Sequence, residues 1–67
     1  MNIIGKKIKE LREEKELSQK MLGKELNLSQ ATIARWETGV RTPDIYSVVI
    51  LADFFDVTAD YLLGRED

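Results

Sequence analysis

Gln19-Lys20-Met21-Leu22-Gly23-Lys24-Glu25-Leu26-Asn27-Leu28-Ser29-Gln30-Ala31-Thr32-Ile33-Ala34-Arg35-Trp36 is the stretch on which the fold turns. Ser18, just before it, is a good N-cap for a short helix that carries Leu22 and Leu26 inward. The pattern then breaks at Leu26-Asn27-Leu28-Ser29. Asparagine is the non-glycine residue most tolerant of the left-handed conformation, and Ser29 can cap a second helix. That helix runs from Gln30 to about Thr38, buries Ile33 and Trp36, and ends at Gly39. Two short helices joined by so tight a turn cross steeply, and Gly23, lacking a Cβ, lets the second of them approach the first closely.

Outward from this unit the chain continues in short helical runs. Upstream, Ile4, Ile8 and Leu11 stand at i, i+4 and i+7 among lysines and glutamates, an amphipathic helix to about Lys15. Downstream, Thr42-Pro43 predicts a further helix with threonine as cap, proline first and Asp44 near the positive helix end. Its inward face is expected to be Ile45, Val48, Leu51, Ala52 and Phe55. Asp56-Val57-Thr58 interrupts, and Thr58 caps a last turn, Ala59 to Leu63, stopped by Gly64. The expectation is an all-α, compact bundle of about five short helices in one domain over residues 1–67. Arg65-Glu66-Asp67 reads either as a frayed terminus or as the start of a linker.

Composition narrows the function. In 67 residues there is little core from which to carve a deep catalytic pocket. The chain has no cysteine and no histidine, which removes disulfides, thiolate zinc sites, the commonest metal ligand and the commonest general base. Carboxylates without such companions do not make an active site, so an enzyme is not expected. No stretch approaches a membrane span, and Met1 to Lys6 lacks the apolar run of a signal peptide, so the chain is expected to be soluble and cytoplasmic. Net charge is −2, but through Thr42 nine bases face six acids, a balance of +3, while from Pro43 onward Arg65 faces six acids, a balance of −5. A polyanion can be met by the first part while the second faces away.

The ordered set Leu17-Ser18-Gln19, Leu22-Gly23, Leu26-Asn27-Leu28-Ser29, Ile33, Trp36-Glu37-Thr38-Gly39, Pro43, Leu51-Ala52, Phe55-Asp56-Val57 and Asp60-Tyr61-Leu62-Leu63-Gly64 resembles the lambda-repressor/Cro-like helix-turn-helix family. The resemblance runs from about Gly5 to Gly64, with the helix-turn-helix unit at about 18–38. The family usually has alanine where Gly23 stands, glycine where Asn27 stands and a polar residue where Ile50 stands. The first two departures are sterically permissible.

The resemblance implies that the third helix enters the major groove of double-stranded DNA. At 100° per residue, Ile33, Trp36 and Glu37 point to the body, Ala31, Arg35 and Thr38 point away, and Thr32 and Ala34 flank them. Gln30 sits at the helix tip, where recognition helices present residues to bases. Gln30, Ala31, Thr32 and Arg35 are therefore the expected base contacts: arginine pairs with guanine, glutamine with adenine, and the methyls meet thymine. Exposed Arg and Gln are ordinary on any solvated face, so the resemblance carries this assignment. Gln19, Ser29, Thr38, Arg41 and Thr42 are the matching backbone contacts, Gln19 lying at the amide-rich start of the second helix.

Arg12 and Glu37 match an interhelical ion pair in relatives; the local alternative is Arg12 with Glu16 at i, i+4. Tyr46, Ile50 and Phe54, at i, i+4 and i+8, form either a self-association face or a stripe packed beneath the first helix. The resulting expectation is a sequence-specific DNA-binding regulator, a repressor that meets a palindromic operator as a homodimer. It needs no cofactor or metal, and no small-molecule or membrane site is evident. The alternative on the same fold is a protein-interaction module, such as an antitoxin or antirepressor domain.

Overall fold

Backbone hydrogen bonds left over at the helix ends account for most of the chain's punctuation. In the computed structural model, which describes residues 3–66, five helices and no strand occur among the described residues: α1 Ile3–Glu14, α2 Gln19–Leu26, α3 Gln30–Thr38, α4 Ile45–Phe55 and α5 Ala59–Leu62. Four of them begin on an oxygen. Ser18, Ser29, Asp44 and Thr58 have extended backbone, and their side chains accept the amides of Met21, Thr32, Ser47 and Tyr61. Each cap satisfies one of the free amides that a helix start leaves, worth about 1 kcal/mol.

The ends repeat one device. Glu16, Asn27, Asp56 and Gly64 are left-handed, with φ of 58°, 61°, 56° and 76°. The residue after each donates back five positions: Leu17 to Arg12 at 3.1 Å, Leu28 to Gly23 at 2.7 Å, Val57 to Ala52 at 3.0 Å and Arg65 to Asp60 at 2.8 Å. These closures satisfy the last carbonyls, and the first three turn the chain sharply enough to bring the next helix back onto the body. Gly39, at φ 84°, ends α3.

The expected start of the fourth helix needs correction. Asp44, not Thr42, is the cap, its carboxylate accepting the Ser47 amide at 2.8 Å. Pro43 lies buried before it and outside the helix. A charged acceptor makes the stronger bond to an amide than a neutral hydroxyl. Ile45 is 65% exposed rather than inward, because it stands roughly 70° off the line of Val48, Leu51, Ala52 and Phe55. Leu63 caps α5 rather than extending it, and α1 stops at Glu14, short of Lys15.

Each helix gives the core at least one side chain. Ile8, Leu22, Ile33, Leu51 and Leu62 are fully buried, surrounded by Ile4, Leu11, Trp36, Val48, Ala52 and Phe55. α3 packs on both α1 and α2, while α5 joins α4 to α1. The helix predicted to meet DNA is thereby held along one side and open along the other.

Candidate nucleic-acid interface

On α3, Ile33 and Trp36 are buried, the exposed side carries Ala31, Arg35 and Thr38 with Thr32 and Ala34 half-buried beside them, and Gln30 is exposed at the tip. At its tip the Ser29 hydroxyl accepts the Thr32 amide at 3.1 Å and shares a hydrogen with Thr32 Oγ1 at 2.9 Å. Thr38 turns its hydroxyl inward, donating to the carbonyl of Ala34 at 3.0 Å and lying 3.3 Å from that of Arg35. Its oxygen can still accept, but donating to a phosphate requires giving up that bond.

Glu37, on the inner side, ties three helices together. Arg12 of α1 donates from Nε to Oε2 at 2.7 Å and from Nη2 to Oε1 at 3.1 Å. Gln19 of α2 donates from Nε2 to Oε1 at 3.1 Å. The third nitrogen of Arg12, Nη1, reaches the Leu17 carbonyl in the α1–α2 turn at 2.7 Å. The pair is enclosed, with side chains 11% and 4% exposed. Its fork geometry compensates for the loss of water. The hydrogen bond to Glu37 raises the Arg12 pKa against the opposing effect of burial, so the guanidinium stays charged. Glu16 is no competitor for Arg12, since its left-handed backbone lies past the end of α1 and breaks the i, i+4 register.

A cleft of about 250 Å³ runs between α3, the following loop and the start of α4, lined by Thr32, Arg35, Trp36, Arg41, Thr42, Asp44 and Ser47. The Arg41 amide bonds to the Arg35 carbonyl at 3.2 Å, which folds the loop back along the helix. Two arginines thus border one opening beside α3. Asp44 borders it too, its carboxyl held below the usual range chiefly by the backbone hydrogen bond from Ser47.

Of the residues predicted from sequence, Ala31, Thr32 and Arg35 share one side of α3, Gln30 and Ser29 lie at its tip, and Arg41 and Thr42 border the adjoining cleft. Gln19 stands apart: its side chain is half-buried and occupied by Glu37, leaving the main chain at the α2 start as its outward feature. Tyr46 and Ile50 are 76% and 50% exposed, but Phe54 packs against the core, its ring edge-on to Phe55 at 5.0 Å. The sequence reading missed Asp44 as a member of the cleft. An aspartate directly ahead of an apolar run, a preferred helix cap, was the available signal. The Gln19–Glu37 bond had no local signal.

Fold and site define a helix-turn-helix protein. The model of the helix-turn-helix family matches residues 8–62, and the chain belongs to this lambda-repressor-like family. The HTH-type transcriptional regulator AnsR of Bacillus subtilis (strain 168) is 40% identical over 60 residues, 90% of this chain and 52% of that protein. The HTH-type transcriptional activator BcrR of Enterococcus faecalis is 37% identical over 63 residues, 94% of this chain and 31% of that protein. The HTH-type transcriptional regulator ImmR of Bacillus subtilis (strain 168) is 31% identical over 64 residues, 96% of this chain and 50% of that protein. The chain therefore spans about half or less of the length of these relatives, which are regulators rather than enzymes. Among solved structures, the P22 c2 repressor in complex with synthetic operator 9T superposes with a TM-score of 0.88 at 26% identity, over 98% of this chain and 100% of that one. Among the described residues no helix is long and apolar enough to cross a membrane.

Proposed function

We propose that the chain is the operator-binding part or the whole of a transcriptional regulator, a repressor that lays α3 in the major groove of a palindromic operator and binds it as a homodimer. The observation that carries this reading is the exposed side of α3 with Arg35, and Gln30 at the helix tip, on a helix whose opposite side is anchored by the buried Arg12–Glu37–Gln19 network. A reading helix needs such support, because base contacts discriminate only when their geometry is fixed. Gln30, Ala31, Thr32 and Arg35 meet base edges, while Ser29, Thr38, Arg41, Thr42 and the main chain at Gln19 meet phosphates. Two copies engage half-sites about one helical turn, roughly 34 Å, apart. A DNA target implies residence in the cytoplasm.

Selection of bound sequences from random duplex DNA tests binding, half-site spacing and base preference together. On the selected site, Arg35→Ala should lose about 1–3 kcal/mol and relax preference at one base pair per half-site. Arg41→Ala should weaken all sequences alike and reduce the log–log salt slope by about one unit per lost contact. An unchanged motif and affinity in Arg35→Ala would remove the base-reading role. The protein-interaction alternative draws on the acidic second half and the apolar exposed side of α4. It is excluded if binding to duplex falls steeply with salt, as phosphate neutralisation requires.

A further inference from the structure

The cleft between α3 and the start of α4 carries a charge that duplex DNA does not call for. Its α3 wall presents Thr32, Arg35 and Trp36, the loop adds Arg41 and Thr42, and the wall at the start of α4 presents Asp44 and Ser47. Among the described residues, neither the Arg35 nor the Arg41 side chain has an ion-pair or hydrogen-bond partner. A surface that serves phosphate alone has no use for a carboxylate, which repels it. Asp44 is not charged for the sake of its cap, since Asn or Ser would cap as well. Two cations and one anion on a single lining complement a small molecule with two anionic groups and one cationic group. We propose that this cleft takes an acidic α-amino acid, and that its binding releases the protein from DNA. The proposal rests on the operator-binding reading above and adds its regulation: Arg35 and Arg41 serve either the ligand or the duplex, never both at once.

Size, polarity and preorganisation select this ligand. The cleft holds about 250 Å³. At roughly 30 Å³ per water that is the bulk of about eight waters, below the ~300 Å³ at which pockets for drug-sized ligands begin. A nucleotide is too large for it. Six of the seven lining residues end in polar groups, and a purely apolar guest would leave them unpaired. Each guanidinium fork can grip one carboxylate through two parallel hydrogen bonds. The ammonium group is left to Asp44, with the Ser47 hydroxyl beside it. Inorganic phosphate or a plain dicarboxylate would satisfy the arginines but set like charge against Asp44. The walls are already in place without a ligand. The Arg41 amide holds the loop to the Arg35 carbonyl at 3.2 Å, and Asp44 is fixed by the Ser47 amide at 2.8 Å. Little ordering is therefore left for the ligand to impose.

The test records amide NMR spectra of the chain without DNA as L-aspartate or L-glutamate is raised into the millimolar range at constant ionic strength. Three comparison compounds are titrated alongside: succinate lacks the ammonium, L-asparagine lacks one carboxylate, and inorganic phosphate is a bare anion. L-Aspartate or L-glutamate should give saturable shifts at Thr32, Arg35 and residues 41–47. It should bind at least about tenfold more tightly than any comparison compound, the worth of one charge-assisted hydrogen bond. On the selected duplex, that amino acid at about ten times its dissociation constant should weaken binding about tenfold by mass action. Asp44→Asn keeps the cap and gains duplex affinity at low salt, yet should lose the preference over succinate. Absent shifts at the cleft, succinate or phosphate binding as tightly as both amino acids, or an undiminished preference in Asp44→Asn overturns the proposal. Saturable binding in the cleft with unchanged duplex affinity overturns the release. Saturable binding without any duplex binding would instead overturn the DNA reading and leave the ligand site standing.

Discussion

Glu37 receives three donor contacts from two other helices, and this makes its carboxylate the single side chain on which the orientation of α3 depends most directly. Removing either member of the enclosed Arg12–Glu37 pair leaves the other charge buried without its partner, so each of Arg12→Ala and Glu37→Ala should destabilise by about 3–5 kcal/mol. In a double-mutant cycle by urea denaturation the coupling should be about 1–3 kcal/mol, and additive losses would remove the pair from the account. Arg12→Lys should not rescue, because an ammonium cannot serve both carboxylate oxygens and the Leu17 carbonyl from fixed positions. Asp44 presents the opposite balance, a good cap placed where a phosphate is proposed to lie. Asparagine in its place would cap equally well without the charge. Asp44→Asn is therefore expected to bind DNA about two- to fivefold more tightly at low salt, an advantage that high salt should screen away. Its effect on stability is set by the sign of the shift. The carboxyl pKa is lowered by folding, so its contribution is present above the unfolded carboxylate pKa and is lost as pH falls through the folded value. The acid limb of a stability profile should flatten accordingly in Asp44→Asn.

Among the elements, the left-handed helix ends are where local sequence and required backbone agree least. Glu16 adopts φ of 58° with a side chain that does not favour it, while Asp56, at 56°, has a short polar side chain that tolerates it better. Glu16→Gly should raise stability by about 0.5–1 kcal/mol, the left-handed cost removed exceeding the chain entropy added, and Asp56→Gly should gain less. In a domain of this size that is a few degrees in thermal melting. Gly23 behaves differently. A glycine inside a helix normally costs about 1 kcal/mol relative to alanine, yet a Cβ at Gly23 would lie 2.7 Å from the Leu28 carbonyl oxygen and 3.2 Å from the Ser29 carbonyl carbon. The close approach is to the turn backbone, which cannot swing aside as a side chain can. Gly23→Ala should therefore return none of the usual gain, and Gly23→Val should destabilise by about 2 kcal/mol or more on the overpacking scale of about 1–3 kcal/mol. A rise in melting temperature for Gly23→Ala would show that the turn can relax.

For the molecule as a whole, a small core leaves little reserve. A chain of this length has about 3–10 kcal/mol of stability. Leu22 is fully buried and is the one α2 side chain at the centre of the core. Leu22→Ala should cost about 2–5 kcal/mol, enough to consume much of that total and to lower DNA affinity through loss of folded protein. Calorimetry should show this as a large fall in melting temperature, and excess operator DNA should restore part of it by mass action. A small shift would mean that α3 and α4 close over the gap.

The helices, their caps and most of the core could be read from local sequence. Ser18, Ser29 and Thr58 act on amides three residues away, and Ile8, Leu22, Ile33 and Leu51 follow the helical period within one helix. Such signals are complete within a turn or two of chain. The outer side of α3 was legible for the same reason, since the buried Ile33 and Trp36 fix where Arg35 and Ala31 must point. Tertiary structure decided what depends on how helices cross. It gave Arg12 to Glu37 by ending α1 before Glu16, and it took the Gln19 side chain from the surface by setting it against the same carboxylate. On α4, apolar nearly all round, periodicity could not tell a covered side from an open one. Packing against α5 and the rest of the core buried Phe55, drew in Phe54 and left Ile45, Tyr46, Val49 and Ile50 facing outward. Hydrophobicity specifies that a side chain seeks cover, but which neighbour supplies it is a property of the assembled helices.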